Sequence, residues 1–402
     1  MMSAHVRRLL WVRGLRAFGD GFVSLLLPLY LIELGLGPFE VGAITAGTLL
    51  GSGVLTLAIG LSAHRFRLRT LLLCATLMMA ATGLGFAVVT HFWPLLLIAV
   101  VGTLNPSSGD VSVFLPLEQA ALAHVAGDRQ RTALFARYSL VGALVAALGA
   151  LSAGLPELMV AAAGMPMRSA LQLMFGLYGA IGLAAAAIYR KLPADFAADA
   201  QASTDPLRES KRIVYVLAAL FSLDAFGGGF IVQSMLALWM FEKFQLSVGL
   251  AATIFFWTGV FTAFSYLLAV RIAKRFGLIN TMVFTHLPSS VLLVLIPLMP
   301  DLGWVIVLLL VRSALSQMDV PTRSSYVMAV VSPSERAAAA SITSVPRSLA
   351  SSISPLVAGY LLQVSTFGWP LIIGGVLKIV YDLLLLGMFR AVRPPEESSP
   401  KR

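Results

Sequence analysis

Leu15-Arg16-Ala17-Phe18-Gly19-Asp20-Gly21-Phe22 returns almost letter for letter as Leu223-Asp224-Ala225-Phe226-Gly227-Gly228-Gly229-Phe230. The offset between the copies, 208 positions from Phe22 to Phe230, is nearly repeated elsewhere. Ala63-His64-Arg65-Phe66 and Ala273-Lys274-Arg275-Phe276 lie 210 apart, Asp110-Val111 and Asp319-Val320 lie 209 apart, and Arg137 and Arg347 lie 210 apart. A near-constant offset at four landmarks marks a duplicated chain. Both copies of the octet sit inside long apolar runs, yet each carries an aspartate. A charge at the centre of a bilayer costs roughly 3 kcal/mol even on the mildest scales, so these carboxylates point to a use.

Composition places those runs in lipid. The 402 residues are 58% hydrophobic and 12% charged, with a mean hydropathy of +0.88, against about 25% charged in a soluble chain. Twelve apolar runs of roughly 20 residues, the length that crosses the hydrocarbon core, succeed one another to the end. The expected architecture is an all-α membrane protein with twelve transmembrane helices in two pseudo-symmetric six-helix bundles. Residues 1–192 and 213–392 form the bundles, residues 193–212 a cytoplasmic linker, and residues 393–402 a disordered tail. Six spans per half is an even number, so the halves enter the membrane in the same direction, as parallel repeats about the membrane normal.

The net charge of +10 is scattered in short clusters between the runs, which argues against a nucleic-acid face and for topology signals. Arg7, Arg8 and Arg13, then Arg65, Arg67 and Arg69, then Arg190 and Lys191, then Arg271 and Arg275 collect on one side, whereas the other side has Arg168 and Lys243. The positive-inside rule puts both termini in the cytoplasm of a multi-pass protein of the cytoplasmic (inner) membrane and brings Trp93, Trp304 and Trp369 to the outer interface. Cys74 lies within an apolar run and reads as a core residue. The chain has no phosphate-binding loop and no Gly-x-Ser-x-Gly elbow, and its five histidines are dispersed, so neither an enzyme nor a resident cofactor or metal is expected.

Span count, duplicated halves and loop positions together resemble the major facilitator superfamily over nearly the whole chain. The loop after the second span, Gly60-Leu61-Ser62-Ala63-His64-Arg65-Phe66-Arg67-Leu68-Arg69, is similar to the family's signature, with His64 where the family has aspartate. The resemblance implies a cytoplasmic gating loop at Gly60, His64, Arg65 and Arg69. Ser354-Pro355-Leu356-Val357-Ala358-Gly359 looks like the glycine-proline motif of proton-coupled exporters. The resemblance further implies alternating access of a monomer around a midplane cavity lined by the first, fourth, seventh and tenth spans.

Each of those spans carries an aspartate: Asp20, Asp110, Asp224 and Asp319. These are the candidate proton-coupling or substrate carboxylates, with protons the coupling ion and a small organic molecule the cargo. Asp20 leads them, set against a static pairing with Arg16 one helical turn away. Arg16 and Asp224 hold equivalent positions, so a bridge between them is one arrangement and snorkelling of Arg16 to headgroups the other. Asp319 and Arg323 are spaced to pair along one helix. Asp110 has Phe114 at that spacing, and its partner must come from elsewhere, Arg137 being a candidate. Asn105-Pro106-Ser107-Ser108-Gly109, just before Asp110, is the expected site of a broken or kinked helix. Arg312, deep in the tenth span, suits a counter-ion or an anion-binding role, and Gln233 offers hydrogen bonds to a substrate. Glu118 reads as a membrane-edge residue, and Lys378 and Asp382 as a self-neutralising pair on a peripheral helix. Proton-coupled export of a small molecule, organic-anion transport through Arg16 and Arg312, and a non-transporting sensor or scaffold are the three readings this leaves.

Overall fold

The computed structural model describes residues 4–62, 66–107, 113–125, 128–193, 208, 210–332 and 335–390, and every regular element among them is helical. The first half runs α1 (Ala4–Glu33), α2 (Pro38–Ser62), α3 (Leu68–Val88), α4 (Phe92–Val101), α5 (Phe114–Val125), α6 (Asp128–Ser152), α7 (Leu155–Ala163) and α8 (Met167–Tyr189). The second runs α9 (Lys211–Gly229), α10 (Gln233–Phe244), α11 (Val248–Phe276), α12 (Leu278–Leu295), α13 (Leu302–Ser316), α14 (Asp319–Val330), α15 (Arg336–Val364) and α16 (Trp369–Phe389). Among the described residues, ten helical segments are long and apolar enough to cross a membrane. The other two of the twelve runs read from sequence depart for local reasons. The fourth breaks between α4 and α5, and the eleventh, α15, carries Arg347 and six serines between Ser341 and Ser354.

Contacts divide the chain into two compact units. One comprises Met1–Gln201, Val232–Gly259 and Pro355–Thr366; the other comprises Ala202–Ile231, Val260–Ser354 and Phe367–Arg402. The division cuts across the sequence repeat, because α10, the start of α11 and the end of α15 pack with the first-half helices. Within that first unit Gly42 of α2 faces Gly359 of α15 so closely that a Cβ on either would meet the other's backbone. Small residues let bilayer helices approach this way and gain dispersion energy where no hydrophobic force acts. The Gly249 amide donates to the Glu157 carboxylate at 2.7 Å, and the Trp239 indole to the Thr366 carbonyl at 3.2 Å.

The octet that marks the duplication is explained by packing within each unit. A Cβ on Gly19 would press into the Tyr178 ring of α8, and one on Gly21 would collide with the Ala146 carbonyl of α6. The second copy repeats both contacts. Gly227 faces the Gly374 carbonyl of α16, and Gly229 faces the Ser351 carbonyl of α15. Phe18–Phe22 and Phe226–Phe230 form edge-to-face pairs at 5.7 and 5.4 Å. The glycines therefore seat one inner helix against two neighbours in each unit.

Large apolar side chains are exposed along the outer helix faces, among them Leu97, Phe264 and Leu383, as lipid-facing surfaces require. Trp93, Trp304 and Trp369 are exposed in the first turns of α4, α13 and α16. Cys74 is also exposed on α3: its run is apolar on the lipid side, so apolar surroundings in the sequence did not mean core.

Candidate functional site

Two clusters of buried ionisable side chains form, one in each unit, and both are built on the octet. In the first, α1 presents Arg16 and Asp20 one turn apart. Arg16 is 1% exposed and its Nη2 lies 2.6 Å from Glu118 Oε2 on α5, over the face of Phe114 at 3.9 Å. Glu118 is fully buried and also accepts from the hydroxyls of Tyr138 on α6 and Tyr189 on α8. It is thus the central acceptor of the cluster, a role that its reading as a membrane-edge residue did not include. Arg13, one turn back along α1, stacks over Tyr138 at 4.9 Å.

Asp20 is 5% exposed and makes no ion pair among the described residues. Among the described residues, the hydrogen-bond donors that reach it are neutral and distant: Asn105 Nδ2 at 3.5 Å and the Tyr178 hydroxyl at 3.4 Å. Static pairing with Arg16 is not formed, because Glu118 takes the guanidinium. Asn105 stands in the helix break foreseen from the proline and glycine beside it. The break exposes backbone groups, and neighbours satisfy them. Thr82 Oγ1 accepts from the Thr103 amide, Tyr178 donates to the Thr103 carbonyl at 3.1 Å, and the Ser234 amide donates to the Pro106 carbonyl at 3.1 Å. The position of Asp110 lies outside the described residues, as do those of His64 and Arg65.

In the second unit Asp224, 4% exposed on α9, is surrounded by two cationic side chains and a histidine. Lys378 Nζ of α16 lies at 2.7 Å, Arg323 Nη2 of α14 at 2.9 Å and His286 Nε2 of α12 at 3.7 Å. Arg323 also pairs with Asp319 one turn away, as their spacing in the sequence required. Both carboxylate oxygens of Asp382 on α16 lie 3.0 Å from His286 Nδ1. Lys378 and Asp382 therefore do not neutralise each other. One turn of helix separates them, but each finds a partner on another helix, and both belong to the cluster. His286 was invisible as a site residue, because a single histidine in an apolar run carries no spacing signal.

The remaining candidates are dispersed. Arg312 of α13 is half-buried, and its Nε makes no hydrogen bond among the described residues. Arg137 is exposed on α6, and Gln233 opens α10 half-buried. Gly60 lies in the last turns of α2. Arg69 donates to the Arg190 carbonyl at 2.8 Å, and Arg8 to the Lys191 carbonyl at 2.6 Å. These two basic side chains satisfy carbonyls left open at the C-terminus of α8, a favoured place for positive charge.

The profile of the Major Facilitator Superfamily matches residues 9–235 and 216–402. The chain belongs to this superfamily. A membrane protein of Saccharomyces cerevisiae described as uncharacterized is 24% identical over 421 residues, covering 96% of this chain and 94% of that one. Among solved structures, a mutant of the nucleoside transporter NupG superposes with a TM-score of 0.76 at 15% identity, over 96% of this chain and 100% of that one. An inward-facing bacterial homolog of the human lysosomal transporter Spinster gives 0.73 at 16%, over 98% of both chains. Identities this low show a shared facilitator fold and leave the cargo open. The chain is a multi-pass membrane transporter by family and fold.

Proposed function

We propose that this facilitator couples the movement of a small organic solute to protons, with Asp20 as the coupling carboxylate. The observation that carries the reading is the environment of Asp20: buried on α1, next to the broken fourth span, and touched among the described residues by long hydrogen bonds from the neutral side chains of Asn105 and Tyr178. A carboxylate fixed to a cation stays ionised. One held by neutral donors exchanges charge with a proton at lower cost as its surroundings change. Glu118 supports this division of labour by taking Arg16 away from Asp20. Export from the cytoplasm, with both termini inside and a monomer as the working unit, is the direction that the exporter-like Ser354–Gly359 stretch favours.

The test is proton movement in proteoliposomes. With an imposed pH gradient and a panel of nucleosides, organic cations and organic anions outside, solute-dependent dissipation of the gradient is expected for the native chain. Asp20→Asn is expected to abolish it while solute exchange without a gradient persists. Gradient-driven flux that survives Asp20→Asn would overturn the assignment.

A second reading has its own observation. The Arg312 guanidinium makes no ion pair among the described residues and its Nε is buried without a partner. Arginine stays charged at any physiological pH, so a cation left in this condition suits an anionic solute. Arg312→Gln should then remove flux of organic anions and leave that of cations unchanged.

A further inference from the structure

The second unit contains a buried histidine that stands between two carboxylates. His286 Nδ1 meets both oxygens of Asp382 at 3.0 Å, and Nε2 faces Asp224 Oδ1 at 3.7 Å. A neutral imidazole has one N–H, so one of its nitrogens would direct a lone pair at a carboxylate oxygen. Only the doubly protonated ring offers a donor to each side. Charge counting agrees that the cluster takes up one proton. Among the described residues, the ionisable groups at this ring are Asp224 from α9 and Tyr381 and Asp382 from α16, and Lys378 from α16 and Arg323 and Asp319 from α14 join them through ion pairs. Arg312, on the neighbouring α13, makes no ion pair with any of them. Three carboxylates face two fixed cations. All are buried, and an uncompensated charge inside a protein costs several kcal/mol. One added proton brings the cluster to neutrality.

The geometry points to a second proton-binding site on His286, with Asp382 and Asp224 as its two acceptors. When occupied, it ties α12 to α9 and α16 through one ring. When the proton leaves, the ring keeps one hydrogen bond, and the cluster holds a net negative charge in the membrane. Nothing in this argument involves Asp20, which lies in the other unit, so either assignment can fail without the other.

The chain purified in nanodiscs, with ¹⁵N-labelled histidine, tests this directly. His286→Gln identifies which of the five histidine signals belongs to the site. At neutral pH the His286 signal is expected to be that of an imidazolium with hydrogen on both nitrogens, and to stay so in Asp20→Asn. A neutral tautomer at neutral pH overturns the proposal. Asp382→Asn balances the cluster without a proton, so there the ring should become neutral. An imidazolium that persists in a folded Asp382→Asn chain also overturns it. Should that variant fail to fold, the wild-type signal decides.

Discussion

The two copies of the octet have the same packing and opposite chemistry. In both, the first glycine meets the last span of its half and the second meets the fifth, and in both an edge-to-face phenylalanine pair flanks them. Yet the position that holds Arg16 in one copy holds Asp224 in the other, and the position of Asp20 corresponds to Gly228. Around Arg16 gather an acid and two phenols; around Asp224 gather a lysine, an arginine and a histidine. Helix seating leaves no freedom at the glycines, since any Cβ would meet backbone or ring atoms. Charge at the neighbouring positions is free to diverge. What duplication preserves here is the approach of helices, and what it relaxes is the sign of the site.

The largest expected effect that probes this comparison is on Asp224. Asp224→Ala leaves the buried Lys378 ammonium without its carboxylate, and breaking a buried pair in this way costs about 3 to 5 kcal/mol. Asp20→Ala removes two long hydrogen bonds from neutral donors and should cost less than about 1 kcal/mol. Melting of the two variants in the same detergent separates them, and equal losses would mean that the two acids are anchored alike. Next in size are the seating glycines. Gly21→Ala and Gly229→Ala should each lose about 1 to 3 kcal/mol through overpacking, and by similar amounts if the repeat is a packing repeat. A loss confined to one of them would break the symmetry argued above. Smallest is Phe114→Leu, which takes the ring from beneath the Arg16 guanidinium at 3.9 Å. A desolvated cation–π contact is worth about 2 kcal/mol at most. A melting shift no larger than that of Phe221→Leu, which faces Arg323 at 5.1 Å, would show that the nearer stack adds nothing.

Legibility followed distance along the chain. The Asp319–Arg323 pair was readable because four residues make one helical turn, and the fourth-span break was readable because Asn105-Pro106 cannot continue a helix without losing backbone bonds. The pairs that define the sites join residues far apart: 102 positions for Arg16–Glu118, 96 for His286–Asp382 and 154 for Lys378–Asp224. No periodicity reaches across such gaps. Local spacing in fact misled at Lys378 and Asp382, where a helical neighbour was present but stronger partners stood on other helices.

By itself the sequence determined that this chain lives in a bilayer, that it is a tandem repeat of helical spans and that its inner helices carry carboxylates. Hydropathy, repeat offset and the cost of charge in hydrocarbon are all properties of residues in order. Tertiary structure alone decided which of those carboxylates are bound to cations and which is left to neutral donors. Ion pairing depends on side chains brought within about 4 Å by helix crossings, and glycines set those crossings without naming the partners they bring together.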